Sequence, residues 1–428
     1  MDRKLTALAV AGAFAAPAAL AQGAVQIGGT INLMYDSVRA AGGTGGPAQD
    51  MRSHDRVRDA SGSNIRFTVS EDLGGGSAAF VQIESAVLAN ADTRNNALGA
   101  GAVTTGWGNR NSAIGWRSKA AGRFLIGVWT VHYDEMAGIE PAYGIMNDAT
   151  SSLSLTQNFG AALSVNPLIG TRFSNVARWD SPNWSGFSLS LAYARPSDAA
   201  PLNLGGDLRD GRKNRAWHLA ARYERGGLQA RYAYLQDKDA VTGATISFGG
   251  ATGAFLGAGT VSAAWKITSH RIGARYRFAG GFGAGLILDS SRLANSTNVA
   301  AASIDIKRNV WAIPLTYEIT RHVFAATLAR ARDWSGSIGG VGLGGVTNPA
   351  IGAQAAGALA FGAETGARFV SLAYAYRFSA RTNIHFSYYK ITNDALARYD
   401  AYSNSSGTTA ANVGADPTGV AFGVRHAF

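Results

Sequence analysis

An apolar–polar alternation at period two recurs along this chain and limits what it can become. Val25, Ile27, Gly29, Ile31, Leu33 and Tyr35 alternate with Gln26, Gly28, Thr30, Asn32 and Met34. That spacing makes a strand whose two faces meet different surroundings. Ile65, Phe67 and Val69 repeat it against Asn64, Arg66, Thr68 and Ser70. A glycine turn at 72–76 then returns the chain through Ala79, Val81 and Ile83, opposite Gln82 and Glu84.

Short Gly/Ser/Asn turns fall near 118–122, 180–186, 225–227, 279–281, 320–322 and 379–382. Longer links fall near 38–62, 87–108, 131–171, 196–214, 239–265, 294–305, 334–365 and 394–417. Strict alternation of short and long places every short turn at one end of the sheet and predicts about sixteen antiparallel strands. The alternation is imperfect around 110–117, 304–319 and 323–333.

One face carries Leu189, Leu191 and Tyr193, Trp217 and Leu219, Tyr276 and Phe278, and Val370, Leu372 and Tyr374. The other carries Ser188 and Ser190, His218 and Arg222, Arg271, Arg275 and Arg277, and Ser371 and Arg377. Sixteen strands with aromatics near their ends fit an all-β, closed transmembrane barrel, lipid outside and water inside, better than a soluble sandwich. A closed barrel pairs every backbone group, as hydrocarbon surroundings require. No run past the N-terminus is long and apolar enough for a helical span; Ala240 to Trp265 and Trp334 to Ala363 are small-residue mixtures read as loops. A secreted soluble β-protein is the reading this displaces.

At the N-terminus, Arg3 and Lys4 precede an uncharged run from Leu5 to Leu20, with Ala19-Leu20-Ala21 before Gln22. This predicts a cleaved signal peptide over 1–21 and a barrel over 22–428. The chain contains no Cys, so its export is not accompanied by disulfides.

The link at 131–171 stands apart. It is long for a connection without a strand of its own. It holds Asp134, Glu135, Glu140 and Asp148 with no Lys or Arg before Arg172, in a chain of formal charge +11. Either these acids are an ordinary solvated loop, or they face positive charge.

Other chemistry finds little support. The seven His show no metal-type spacing, and there is no Cys to join them. Gly340 to Gly345 matches a dinucleotide-type glycine pattern without strand–helix context, in a chain with 54 Gly. No Ser-His pairing stands out, so neither an enzyme nor a cofactor is expected, although an outer-membrane barrel enzyme is the rival of a different class. The basic residues alternate into a strand face rather than clustering with stacking aromatics, which argues against nucleic acid.

Three segments carry a family resemblance: Ser63 to Gly76, with Ser70-Glu71-Asp72-Leu73-Gly74-Gly75-Gly76; Asn175 to Tyr193, with the turn Asp180 to Phe187; and the terminus Gly423-Val424-Arg425-His426-Ala427-Phe428. Together they resemble the Gram-negative general-diffusion porins of betaproteobacterial type. The resemblance implies a sixteen-stranded trimeric barrel in the outer membrane, among outer-membrane lipid and lipopolysaccharide, passing small hydrophilic solutes and ions. It implies that the third long link folds into the lumen as a constriction, and that the terminal Phe428 is read by the barrel assembly machinery. On that basis Asp134, Glu135, Glu140 and Asp148 form the acidic side of the constriction, and Arg66, Arg110, Arg172 and Arg178 the basic wall. The chain departs from the pattern where Asn64 and Val128 replace basic residues, and Leu125 a polar one. The family reading makes a passive channel, to which the net positive charge and the polar-face arginines add a modest anion preference; the alternative is a selective channel for organic anions.

Overall fold

The computed structural model describes residues 25–44, 50–60, 62–87, 107–140, 146–157, 159, 169, 172–195, 215–238, 245–246, 261–262, 265–295, 304–338, 341–342, 364–401 and 414–428. The expected signal peptide, most of the long links and most of the glycine-rich stretch at 340–345 lie outside these residues.

Sixteen strands close into one antiparallel barrel. They are β1 Val25–Ala41; β2, in two segments, Met51–Asp59 and Asn64–Gly74; β3 Ser77–Ala86; β4 Ser112–Ser118; β5 Gly122–Thr130; β6 Arg172–Asp180; β7 Phe187–Ala194; and β8 Arg215–Arg225. The second half comprises β9 Leu228–Lys238, β10 Trp265–Arg277, β11 Phe282–Asn295, β12 Ile304–Ile319, β13 His322–Ala331, β14 Ala367–Arg377, β15 Thr382–Asn393 and β16 Asp416–Ala427. Each pairs with its sequence neighbours, and β1 pairs with β16 from Thr30↔Ala427 to Ala41↔Asp416. No edge remains, which lets the barrel sit in hydrocarbon. The terminal residue takes part in closure: Phe428 N donates to Gly29 O (3.1 Å), and Phe428 O accepts from Gly29 N (3.0 Å).

The outer face is apolar and exposed, for example Ile126, Leu191, Ile272, Leu286, Leu372, Phe386 and Val424. Near the short-turn end, aromatic rings pair on this face, Tyr276 with Phe278 and Tyr376 with Phe378. Such rings belong at a membrane interface.

The inner face departs from a simple wet lumen. Val310 and Ala312 on β12, Ile287 on β11, Ala233 on β9 and Tyr389 on β15 are buried in one cluster with Met136, Ile139 and Leu155 of the 131–171 link. The apolar core therefore lies inside the barrel, between wall and link. This explains the imperfect alternation at 304–319 and 323–333: those strands carry apolar residues on both faces because one meets lipid and the other meets the inward link.

The first long link differs from expectation. Much of the predicted link at 38–62 is strand, with β1 running to Ala41 and β2 beginning at Met51. Met51–Asp59 is too polar on both faces to show an apolar period. β2 breaks between Asp59 and Asn64, and the break has a use described below.

Candidate functional site: the inward segment and its arginine wall

The chain leaves β5 and turns at His132, whose φ of +52° is the left-handed region. That conformation is uncommon for a residue with a side chain and redirects the chain. Short helical turns follow at His132–Met136, Asp148–Thr150 and Leu153–Thr156.

The first turn is fastened to β6, β8, β9 and β10. Glu135 is buried, and its carboxylate accepts from Arg178 Nη2 (3.2 Å) and from Arg222 Nε (2.6 Å). His218 Nε2 lies 3.3 Å from the same carboxylate, and Arg231 Nη1 donates to the Glu135 carbonyl (2.9 Å). Burial pushes the Glu135 carboxyl up. The His218 hydrogen bond and the charges of Arg178 and Arg222 outweigh it and hold the group well below the usual carboxylate range. Arg178 is also held by Asp180, Nε to Oδ1 at 2.8 Å.

Met136 and Ile139 settle against β10 at Gly273. A Cβ there would come within 3.0 Å of Met136 Sδ and 3.2 Å of Ile139 Cγ1. Leucine at this position would therefore press the segment off the wall, at about 1–3 kcal/mol of overpacking. We expect Gly273→Leu to expose Ile139, which is fully buried. In a chain without Cys, an Ile139→Cys reporter measures this directly. Its thiol modification should be slow when Gly273 is retained and fast when Gly273→Leu is added; equal rates would mean the packing does not hold the segment.

The far end of the segment docks on the opposite wall. Asn32 Nδ2 of β1 donates to Met146 O (2.8 Å), Asn147 Nδ2 to Ser387 Oγ of β15 (3.1 Å), and Ser371 Oγ of β14 to Thr150 O (2.7 Å). Asp148 N donates to Ala60 O (2.9 Å), a carbonyl left free of the ladder by the break in β2. Thr156 Oγ1 accepts from Arg271 Nη2 (3.0 Å) and its carbonyl from Arg308 Nη2 (3.0 Å). Arg308 is fully buried and paired with Asp289 (2.7 Å), its guanidinium 5.3 Å from the Phe159 ring centre. The segment thus crosses the barrel interior.

The four sequence-predicted acids take distinct places. Glu135 binds the wall arginines in direct contact. Glu140 accepts from Ser151 Oγ (2.8 Å) and from Ser152 N and Oγ (both 2.9 Å), bracing the segment internally. Asp148 is buried, in electrostatic contact with Arg58. Asp134 is half-buried; burial pushes its carboxyl up, against the Thr130 hydrogen bond and the charges of Arg172 and Arg110.

Of the predicted basic residues, Arg178 meets Glu135. Arg110 precedes β4, and its Nε donates to Glu84 Oε1 (2.6 Å). Arg172 Nε donates to Asn111 Oδ1 (2.9 Å). Arg66 is exposed on the inner face, opposite Glu84 in the ladder. His218, Arg222 and Arg231 complete the Glu135 site without having been among the expected residues. Their alternation onto the polar face was visible in the sequence, but the contact across 87 positions from Glu135 to Arg222 was not.

Beneath Glu135, towards the short turns, lies a cavity of about 420 Å³. Arg123, Arg178, Arg222 and Arg231 line it, together with Asp134, Glu135 and Glu224. Further inward arginines stand at this end: Arg66, Arg275, Arg377 and Arg425, with Glu318 as a counter-charge to Arg377. Chemically this is a polar compartment with an excess of guanidinium. Among the described residues, no group of three or more His, Asp or Glu could hold a metal.

His132 makes the attachment of the first turn to β10 pH-sensitive. Its Nε2 lies 2.8 Å from Ser269 Oγ, and burial, reinforced by Arg271 and His218, holds its pKa well below the ordinary imidazole value. A lowered folded-state pKa gives stability above pH ~6.5 that is lost as pH falls towards the folded value. Current noise from the segment should therefore grow below that pH and lose this dependence in His132→Asn; Glu135 stays ionised throughout the same window. Recordings at pH 7.5 and 5 check this, and identical noise at both would contradict it.

The model of the family described as Gram-negative porin matches residues 6–396. The major outer membrane protein P.IB of Neisseria lactamica is 29% identical over 238 residues, 55% of this chain and 59% of that protein. The P.IB protein of Neisseria gonorrhoeae is 29% identical over 237 residues, 55% and 57% of the two chains. The match thus spans somewhat over half the length of these curated relatives. An anion-selective porin from Comamonas acidovorans superposes with a TM-score of 0.63 at 18% identity, over 95% of this chain and 100% of that one. The trimer form of OmpT, an outer membrane protein of Vibrio cholerae, gives 0.60 at 12% identity, over 95% and 99%. At such identities the structures speak for the fold. With the family match across most of the sequence, the closed barrel and the apolar outer belt, this chain belongs to the Gram-negative porin family and resides in the outer membrane.

Proposed function

We propose that the protein is a passive diffusion channel for small hydrophilic solutes and ions, with modest anion preference, narrowed by the 131–171 segment. The observation that carries this reading is the arginine-rich compartment beneath Glu135, set in a barrel of the porin family. Fixed charge in a low-dielectric ring acts more strongly on a passing ion than the same charge in bulk water. Excess guanidinium raises the local anion concentration.

In this reading Asp134, Glu135, Glu140 and Asp148 belong to the constricting segment, and Arg66, Arg110, Arg172 and Arg178, with Arg222 and Arg231, to the basic wall. The barrel acts as a homotrimer, the form in which Vibrio cholerae OmpT is described. Residues 1–21 are an export signal, and Phe428 presents the chain to the assembly machinery. Catalysis and a cofactor play no part.

The selective alternative, a channel for organic anions, differs in kinetics. Refolded protein in planar bilayers should give stepwise conductance rising linearly with salt. Saturation, or block by one organic anion at low concentration, would favour the selective channel.

A further inference from the structure

The described start of the last long link also turns inward. Residues 394–401 leave β15 and pass over inner faces of the wall, with Leu396, Ala397, Tyr399 and Ala401 all buried. Ala397, Tyr399 and Ala401 belong to the cluster that holds Val310 of β12, Phe369 of β14, Ile391 of β15 and Leu155 of the first inward segment. Leu396 belongs to a second cluster with Phe159 and Trp334, and Trp334 Nε1 donates to Phe159 O (3.1 Å). Tyr399 stands within electrostatic range of Arg308 and Asp289, where the far end of the first segment docks.

The stretch is tied down around the rim. Asn393, the last residue of β15, accepts from Tyr399 N at Oδ1 (3.0 Å), and its Nδ2 donates to Tyr399 O (2.9 Å) and Ala415 O (2.6 Å). One amide side chain thus pins the outgoing and returning ends of the link. Thr44 Oγ1, beyond β1, donates to Ala395 O (2.5 Å), and Leu396 N donates to Glu364 O (2.8 Å), ahead of β14. Gly414 N donates to Ala397 O (2.8 Å). Gly414 has a φ of +77°, and a Cβ there would come within 3.1 Å of Thr44 N, so this closure calls for glycine.

The wall beneath is built for such a cover. Phe369 and Ile391 stand opposite each other in the ladder, two residues from the ends of their strands, and both face inward. In a simple pore water would wet them, at about 1.5–3 kcal/mol each. Residues 394–401 help keep them dry.

We propose that residues 394–401 form a second inward segment that closes the β12–β15 side of the mouth and sets the solute size limit, with Tyr399 as its bulk and Asn393 as its fastening. The inference rests on the channel reading above. It makes the 131–171 segment one of two elements that narrow the barrel.

Liposome swelling with sugars of graded size, together with the single-channel step, tests this on the refolded full-length protein. Tyr399→Ala should raise the raffinose rate severalfold while the arabinose rate hardly moves, and should enlarge the step. Tyr399→Phe keeps the ring and should keep the limit. Heat-modifiable gel mobility reports whether each barrel is folded. A second measurement leaves Tyr399 in place. The thiol of Ala397→Cys should react with a charged reagent about a hundredfold more slowly than that of Ala41→Cys, because Ala397 is fully buried, Ala41 is exposed, and a buried group reacts only from opened states. Adding Tyr399→Ala should speed the slow reaction. An unchanged sugar limit and step in folded Tyr399→Ala, or equal rates at the two thiols, overturns the inference and leaves the channel standing. Absence of channels in the unaltered protein would overturn the proposed function, and the size limit with it.

Discussion

Replacing Glu135 with alanine should release the inward segment from the β6–β9 wall and shift selectivity further towards anions. The side chain holds three partners at once: Arg178, His218 and Arg222. Removing one member of a buried ion pair costs about 3–5 kcal/mol, because the partner is left uncompensated. The loss falls at the low end here, since Arg178 keeps Asp180 and Arg222 is the more exposed partner. A segment freed at this anchor stays fixed only by its far dock and apolar contacts, so current noise should rise. Glu135→Gln separates the two effects: it removes the charge while keeping hydrogen-bonding capacity, and should move selectivity with less added noise. Single-channel recordings of the three proteins check both; unchanged selectivity in both variants would mean Glu135 does not face the ion path.

The second large effect is expected from Arg222→Gln/Arg231→Gln. These guanidiniums line the cavity with Asp134, Glu135 and Glu224. One charge about 5 Å from a permeating ion changes its local concentration roughly fourfold in a water-like dielectric. Losing two should change it more than tenfold and turn the channel towards cations, because the three acids remain. Arg178 and His218 still hold the Glu135 carboxylate in this variant, so the segment should stay docked. An unmoved reversal potential would place the ion path elsewhere.

The barrel was legible because lipid on one side and a polar interior on the other impose a period of two on most strands, and because link lengths alternate by end. Met51–Asp59 escaped detection, being polar on both faces. The doubtful strands β12 and β13 were doubtful for a physical reason: Ile306, Val310, Ala312, Val323 and Ala329 face inward to pack rather than to be wetted. Read in reverse, loss of alternation inside an otherwise regular barrel marks where something occupies the lumen.

The site was legible only in outline. One-sign charge on the 131–171 link pointed to positive partners, and Glu135 has three basic ones within reach. Nothing local distinguishes Glu135 from Glu140, five residues on, whose oxygens are used by Ser151 and Ser152. Which acid meets the wall is decided by where Met136 and Ile139 seat against Gly273, a long-range packing relation that no spacing encodes. The break in β2 was hidden for the same reason; it becomes intelligible only once Asp148 is seen on Ala60.

The central claim is an open, passive pore whose charged interior favours anions. It is tested most directly by the reversal potential of the refolded protein in a planar bilayer under a tenfold KCl gradient. The account predicts stepwise channels whose zero-current voltage has the sign of chloride preference. Channels with clear potassium preference would contradict the charge assignment, and a bilayer without stepwise channels would contradict the function itself.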